Sequence, residues 1–252
     1  AEMYAQRRTH DDMHAEYPES IEQALAPEEL DRRVPWSMVK EVYCESECVD
    51  DDTLPALPGL AVYALPRPGR AYVIGADPAE GNLRSDESAA VVLDAATWAQ
   101  AAVLGGRWEV GTFGGYIDDL AAFYNGADML VERNNHGHAL LLTMQASGRS
   151  RLLNGYDGRT GFLSSVKGKK LLYDTLAQVV KDGDCMVCDQ ATAMQVASVQ
   201  ASDLRAPAGL EDDRADAFAL AVWGCANGDV DVEAGKVGEA ADPLDAYDGT
   251  GF

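Results

Sequence analysis

The sequence predicts an α/β layer fold built on a mixed sheet, and three observations predict it. Short apolar runs bounded by breakers come first, amphipathic stretches at helical spacing then alternate with a further apolar run, and acidic residues fall where these runs end. Residues 71–76 and 89–94 read as paired strands joined by a polar turn, and 108–113 as a third strand. Residues 117–125 carry Leu120, Ala121 and Tyr124 on one helical face. A short strand over 128–132, Met129-Leu130-Val131, ends on Glu132, and a helix over 137–146 follows. A second amphipathic helix spans 171–180 and closes on Lys181 and Gly183. Residues 185–188 read as a strand, and 213–226 as a final Ala-rich helix.

The flanks divide the chain further. Residues 1–54 are polar and read as mostly helical or irregular, with a short helix over 21–30. Pro55, Pro58, Pro66, Pro68, Gly59 and Gly69 mark 55–70 as a linker, so the compact part is expected over 71–228. Residues 229–252 hold seven acids and one lysine without periodicity, and read as an acidic tail.

The chain has 252 residues, 47% of them apolar, which suffices for a sizeable core. No apolar run approaches the ~18–20 residues of a membrane span, and no signal-peptide pattern opens the chain. The expectation is a soluble, intracellular protein with no membrane partner. Its net charge of −22 argues against a nucleic-acid partner taken as a sum. The distribution argues differently, because Arg149, Arg151, Arg159, Lys167, Lys169 and Lys170 fall in one window opposed only by Asp157. Cys44, Cys48, Cys185 and Cys188 have a loose zinc-like spacing, but with Cys225 they read better as ordinary thiols. No phosphate-binding loop of the GxxxxGK[ST] form is present.

Asp77 and Glu132 share one pattern, an apolar strand that ends in a carboxylate, and Glu211-Asp212-Asp213 stands immediately before the last helix. Strand ends are where loops converge and ligands bind in α/β sheets. Two such charges ~4 Å apart repel by about 4 kcal/mol at an effective dielectric near 20, and a divalent cation removes that repulsion. The bland alternatives are that Asp77 starts a turn, that Glu132 pairs with Arg133, and that Asp212 and Asp213 cap the last helix and favour its N-terminus.

Four segments, GADPAEGNLRSDESAAVVLD, MLVERNNHGHALLLTMQ, GFLSSVKGKKLLYDTLAQVVKDGD and EDDRADAFALAVW, follow one another in this order, after HAEYPESIEQALAP. Together they resemble the nuclease domain of the large terminase subunit of tailed bacteriophages, over roughly residues 14–227. The resemblance implies an RNase H-like fold and metal-dependent endonuclease cleavage of double-stranded DNA during genome packaging, in the host cell cytoplasm. It places the catalytic acids at Asp77, Glu132 and Asp213, with Asp212, Glu80 and Asp86 as further metal ligands around two Mg²⁺ or Mn²⁺ ions. It implies that Lys167, Lys169, Lys170, Arg159 and Arg151 hold the DNA backbone. Asn134 and Asn135 either assist them or cap the helix that follows.

Two departures stand out. Glu211 occupies a position that is often His, and Leu25 one that is usually aromatic. The family's ATPase domain is missing, so residues 1–54 are expected to be an interdomain remnant. The portal protein and the small terminase subunit would be partners of the full-length protein. Another RNase H-like nuclease, such as a resolvase or transposase core, is the rival among enzymes. A non-catalytic module docking on a portal protein is the rival outside them.

Overall fold

The structure is a computed structural model that describes residues 31–80 and 86–230. The helix expected over 21–30 and the tail from 231 onward lie outside the described residues. One mixed sheet contains β1 (Leu60–Val62), β2 (Tyr72–Asp77), β3 (Ser88–Asp94), β4 (Gln100–Gly106) and β5 (Asp128–Val131), in the order β1-β4-β3-β2-β5. The first four strands pair antiparallel, and β5 joins β2 in parallel. Six helices accompany it among the described residues: α1 (Trp36–Val42), α2 (Val110–Phe123), α3 (Asn135–Ser147), α4 (Val166–Asp182), α5 (Gln190–Ser198) and α6 (Asp213–Asn227).

Successive strand residues point to opposite faces, and both faces are covered. Val73, Val91 and Leu130 pack with α1, α4, α5 and α6 on one side. Ile74, Val92 and Met129 pack with α2 and α3 on the other. Each such fully buried aliphatic side chain contributes about 1.5–3 kcal/mol. Ser165 caps α4 by accepting from the Gly168 N–H, and Gly183 ends it in the left-handed region.

The contact that matters most for the site is at Gly75. A Cβ built there would lie 2.1 Å from the Ala217 carbonyl oxygen and 2.3 Å from the Ala221 nitrogen. The backbone of α6 therefore rests directly on the middle of β2, and its first turn is carried to the end where Asp77 sits.

The α/β architecture follows the sequence reading, with specific differences. Residues 108–113 are not a strand. The third strand is β4, and Trp108 folds back over Gly106 to stack on Phe113 within α2. The expected linker contains β1, which pairs with β4 through Ala61↔Val103 and buries Val62. Its prolines lie outside the paired residues, so they break nothing. The core reaches back before residue 55, because Val34, Trp36, Val39 and Val42 are buried against the α4 and α5 layer. Residues 185–188 make only single bridges, Ala99↔Met186 and Tyr43↔Val187. Among the described residues no helix is long and apolar enough to cross a membrane.

Candidate active site

The parallel register of β2 and β5 sets the centre. Ala76 pairs with Val131, and the Glu132 N–H donates to the Ala76 carbonyl at 2.8 Å. Asp77 and Glu132 are the next residues on adjacent strands, which sets their carboxyl groups side by side, close enough for the charge of one to act on the other. Burial, then the charge of Glu132, holds the Asp77 carboxyl well above the usual carboxylate range, and Asp216 and Asp213 push it further.

Helix α6 delivers the remaining acids. Asp213, its first residue, is buried, and its Oδ2 has no hydrogen-bond partner among the described residues. Burial first, then the charges of Asp86, Asp212 and Glu211, push this carboxyl up to about 8. Asp216 lies three residues on and faces inward beside it. Its Oδ1 accepts from the Tyr173 hydroxyl at 2.6 Å, and its Oδ2 lies 2.8 Å from Lys169 Nζ. Burial pushes Asp216 up to about 6, against the pull of the Lys169 charge. The neighbouring Arg214 anchors the start of the helix. Its Nε meets Glu87 at 2.7 Å, its guanidinium meets Asp189 at 3.2 Å, and its backbone N–H donates to Gln195 at 2.7 Å.

The other candidates fall in distinct places. Glu80 and Asp86 are exposed on either side of residues 81–85, and the charge of Asp86 reaches Asp213. Asp212 occupies the N-cap position of α6 without making a side-chain cap; its Oδ2 instead accepts from the Ala206 N–H at 3.0 Å. Asn134 likewise makes no side-chain cap. Its amide donates to the Ser164 carbonyl at 3.2 Å and to Glu132 Oε1 at 3.5 Å. Asn135 begins α3, and its side chain lies outside the description.

The basic window divides. Lys167 is exposed, 5.7 Å above the Tyr156 ring, and Lys170 and Arg159 are exposed as well. Lys169 turns inward to Asp216 and the Leu204 carbonyl, with Asp212 at 4.0 Å. Arg151 is not brought to the acids. It pairs with Asp128 at 3.3 Å, at the opposite end of β5 from Glu132. Lys169 and Tyr173 stand four residues apart on one face of α4, and Asp213 and Asp216 three apart on α6. These spacings are visible in the sequence, but the sign and burial of what faces them are not.

Among the described residues no three His, Cys, Asp or Glu side chains form a ready metal cage. Asp77 instead stands beside Glu132 and Asp216 pairs with Lys169, while Asp213 Oδ2 is left without a partner among the described residues. The donor set of carboxylate oxygens is what a hard divalent cation takes. The orphaned Asp213 oxygen and the raised carboxyls are the mark of an acid cluster short of positive charge. The cysteines are free thiols, with Cys44 and Cys48 exposed and Cys185 and Cys188 buried.

A mixed sheet with helices on both faces and acids gathered at the carboxyl ends of β2 and β5 is an RNase H-like α/β fold. Among solved structures the chain is similar to the large terminase nuclease from thermophilic phage G20c with bound magnesium, at TM-score 0.62 and 21% identity, over 77% of this chain and 97% of that one. It is similar also to the Thermus phage P74-26 large terminase nuclease domain, at TM-score 0.58 and 20% identity, over 75% and 94%. The G20c nuclease has been solved with bound cobalt as well. No protein-family model and no curated protein matches the chain. The fold of this chain is therefore that of phage large terminase nuclease domains.

Proposed function

We propose that this chain is a metal-dependent endonuclease that cuts double-stranded DNA during the packaging of a phage genome. The observation that carries this reading is the meeting of Asp77, Glu132 and Asp213. Three sequence-distant acids are held at one end of a sheet by strand register and by the seat of α6 on Gly75. The shared fold with terminase nucleases, one of them solved with magnesium, supports it.

Asp77, Glu132 and Asp213 would hold two Mg²⁺ or Mn²⁺ ions, with Asp212, Asp86 and Glu80 around them. Bound there, such ions supply an activated water and charge neutralisation for in-line displacement of a phosphodiester oxygen. The chain's own residues prepare the site. Asn134 orients Glu132 through its amide. Lys169 and Tyr173 fix Asp216 and with it the first turn of α6, which carries Asp213. Lys167, exposed at the start of α4, positions the DNA backbone without reading sequence. In a longer protein that also holds the ATPase domain, the portal protein and the small terminase subunit would be partners, in the host cytoplasm.

A supercoiled-plasmid assay tests this. The chain should nick plasmid in Mg²⁺ or Mn²⁺ and not in EDTA, and Asp77→Asn should abolish nicking while the fold survives. Absence of divalent-dependent cleavage by the parent chain would remove the nuclease reading and favour an assembly module.

A further inference from the structure

We propose that the cleft beside the start of α4 binds one strand of nucleic acid by its phosphates and leads that strand away from the acid centre. The identity of the polymer rests on the nuclease reading above. The cleft holds about 820 Å³, and three separate segments wall it: Arg33 ahead of α1, residues 164–170 at the start of α4, and the 201–205 loop ahead of α6.

Its chemistry departs from that of the chain as a whole. The protein carries −22, yet the cleft sets Arg33, Lys169, Lys170 and Arg205 against only Asp174 and Asp203. Asp174 is occupied by Arg33, and Asp203 accepts the Arg205 backbone N–H at 3.1 Å. The Lys170 ammonium and the Arg205 guanidinium line the cleft without an ion pair among the described residues. Val166, also in the wall, is 93% exposed, an apolar side chain left open to solvent among the described residues. Unpaired cations from different segments beside an exposed aliphatic group suit a charged backbone carrying apolar sugars and bases.

The cleft also shares wall residues with the acid site. Lys169 lines it and bonds Asp216 at 2.8 Å, while Ser164 lines it and accepts from Asn134, which reaches Glu132. Its size decides what enters. A cube of 820 Å³ is roughly 9 Å on edge. That is room for one strand rather than for the cross-section of a duplex, whose major groove alone is about 12 Å wide.

The test uses the whole chain in EDTA and a short labelled oligodeoxythymidylate, followed by fluorescence anisotropy across a salt series, with a blunt hairpin duplex in parallel. The double variant Lys170→Ala/Arg205→Ala should lose about tenfold in single-strand affinity. Its log–log salt slope should flatten by about 1.4, at ~0.7 for each lost phosphate contact. Duplex affinity should change by less than about threefold. Both positions are exposed, so a melting temperature equal to the parent's certifies the fold. Equal losses on both substrates, or an unchanged slope, would overturn the proposal. A chain that cuts no plasmid yet shows the strand-specific loss keeps the cleft and gives up the nuclease.

Discussion

Replacing Asp213 by Asn should make the metal-free chain more stable while it ends cleavage. The Asp213 carboxyl moves from an ordinary 3.8 to about 8 on folding. A raised carboxyl means that the folded state prefers the protonated form. The stability this group allows is therefore fully present below about pH 4 and is lost as pH rises through about 8. Four units at ~1.4 kcal/mol each set a ceiling of roughly 6 kcal/mol on the cost of the ionised form. Side chains and water relax around a charge, and Asp86, the first of its charged neighbours, is exposed, so ~2–3 kcal/mol is the expected gain from Asp213→Asn at about pH 8.5. For a domain of this size that is a rise of ~5–10 °C in melting temperature. Thermal melts in EDTA should show the gap shrinking steadily toward about pH 4. Added Mg²⁺ or Mn²⁺ should stabilise the parent and leave the variant unmoved, because only the parent binds. A variant less stable than its parent at about pH 8.5 would refute the reasoning, since Asp213 would then be making a favourable contact. So would an equal gain from metal in both chains.

Three further outcomes follow from the same geometry. Gly75→Ala puts a methyl 2.1 Å from the Ala217 carbonyl, so α6 must lift from the sheet; a loss of ~3 kcal/mol or more in urea unfolding is expected, together with lost cleavage. Lys169→Met leaves Asp216 buried without its cation, at ~3–5 kcal/mol when Asp216 is ionised. Without the Lys169 charge Asp216 is raised above its parent value of about 6, so the loss should ease as pH falls toward about 6 and stay small below it, and melts on either side of that pH check it. Asp212→Ala removes the acceptor of the Ala206 N–H rather than a helix cap, so ~1 kcal/mol should be lost. It should leave partial cleavage that rises with Mn²⁺, measured on the same plasmid substrate as Asp77→Asn.

The sequence by itself determined the elements whose signals are local. The apolar runs of β2, β3 and β5, the spacing of α4 with Ser165 before it and Gly183 after it, and the acids at the ends of β2, β5 and the loop before α6 each show within a few consecutive residues. Strand ends, caps and helical periods are short-range properties, so they can be read from the chain. The tertiary structure decided what depends on partners far along it. Whether Asp77 meets Glu132 depends on the parallel register of two strands whose partners, such as Ala76 and Val131, stand 55 residues apart. Whether α6 can bring Asp213 to them depends on the missing side chain at Gly75. Pairing also made a strand of Leu60–Val62, among prolines that read as a linker, and the fold-back of Trp108 made the start of a helix from residues that read as a strand. Lys169 shows the limit most plainly. In the sequence it stands in a basic run, like Lys167 and Lys170, but the helix turns it toward Asp216 and turns the others to solvent. The charge of a side chain is set by its type, whereas the partner of that charge is set by the packing of segments that touch only in the folded chain.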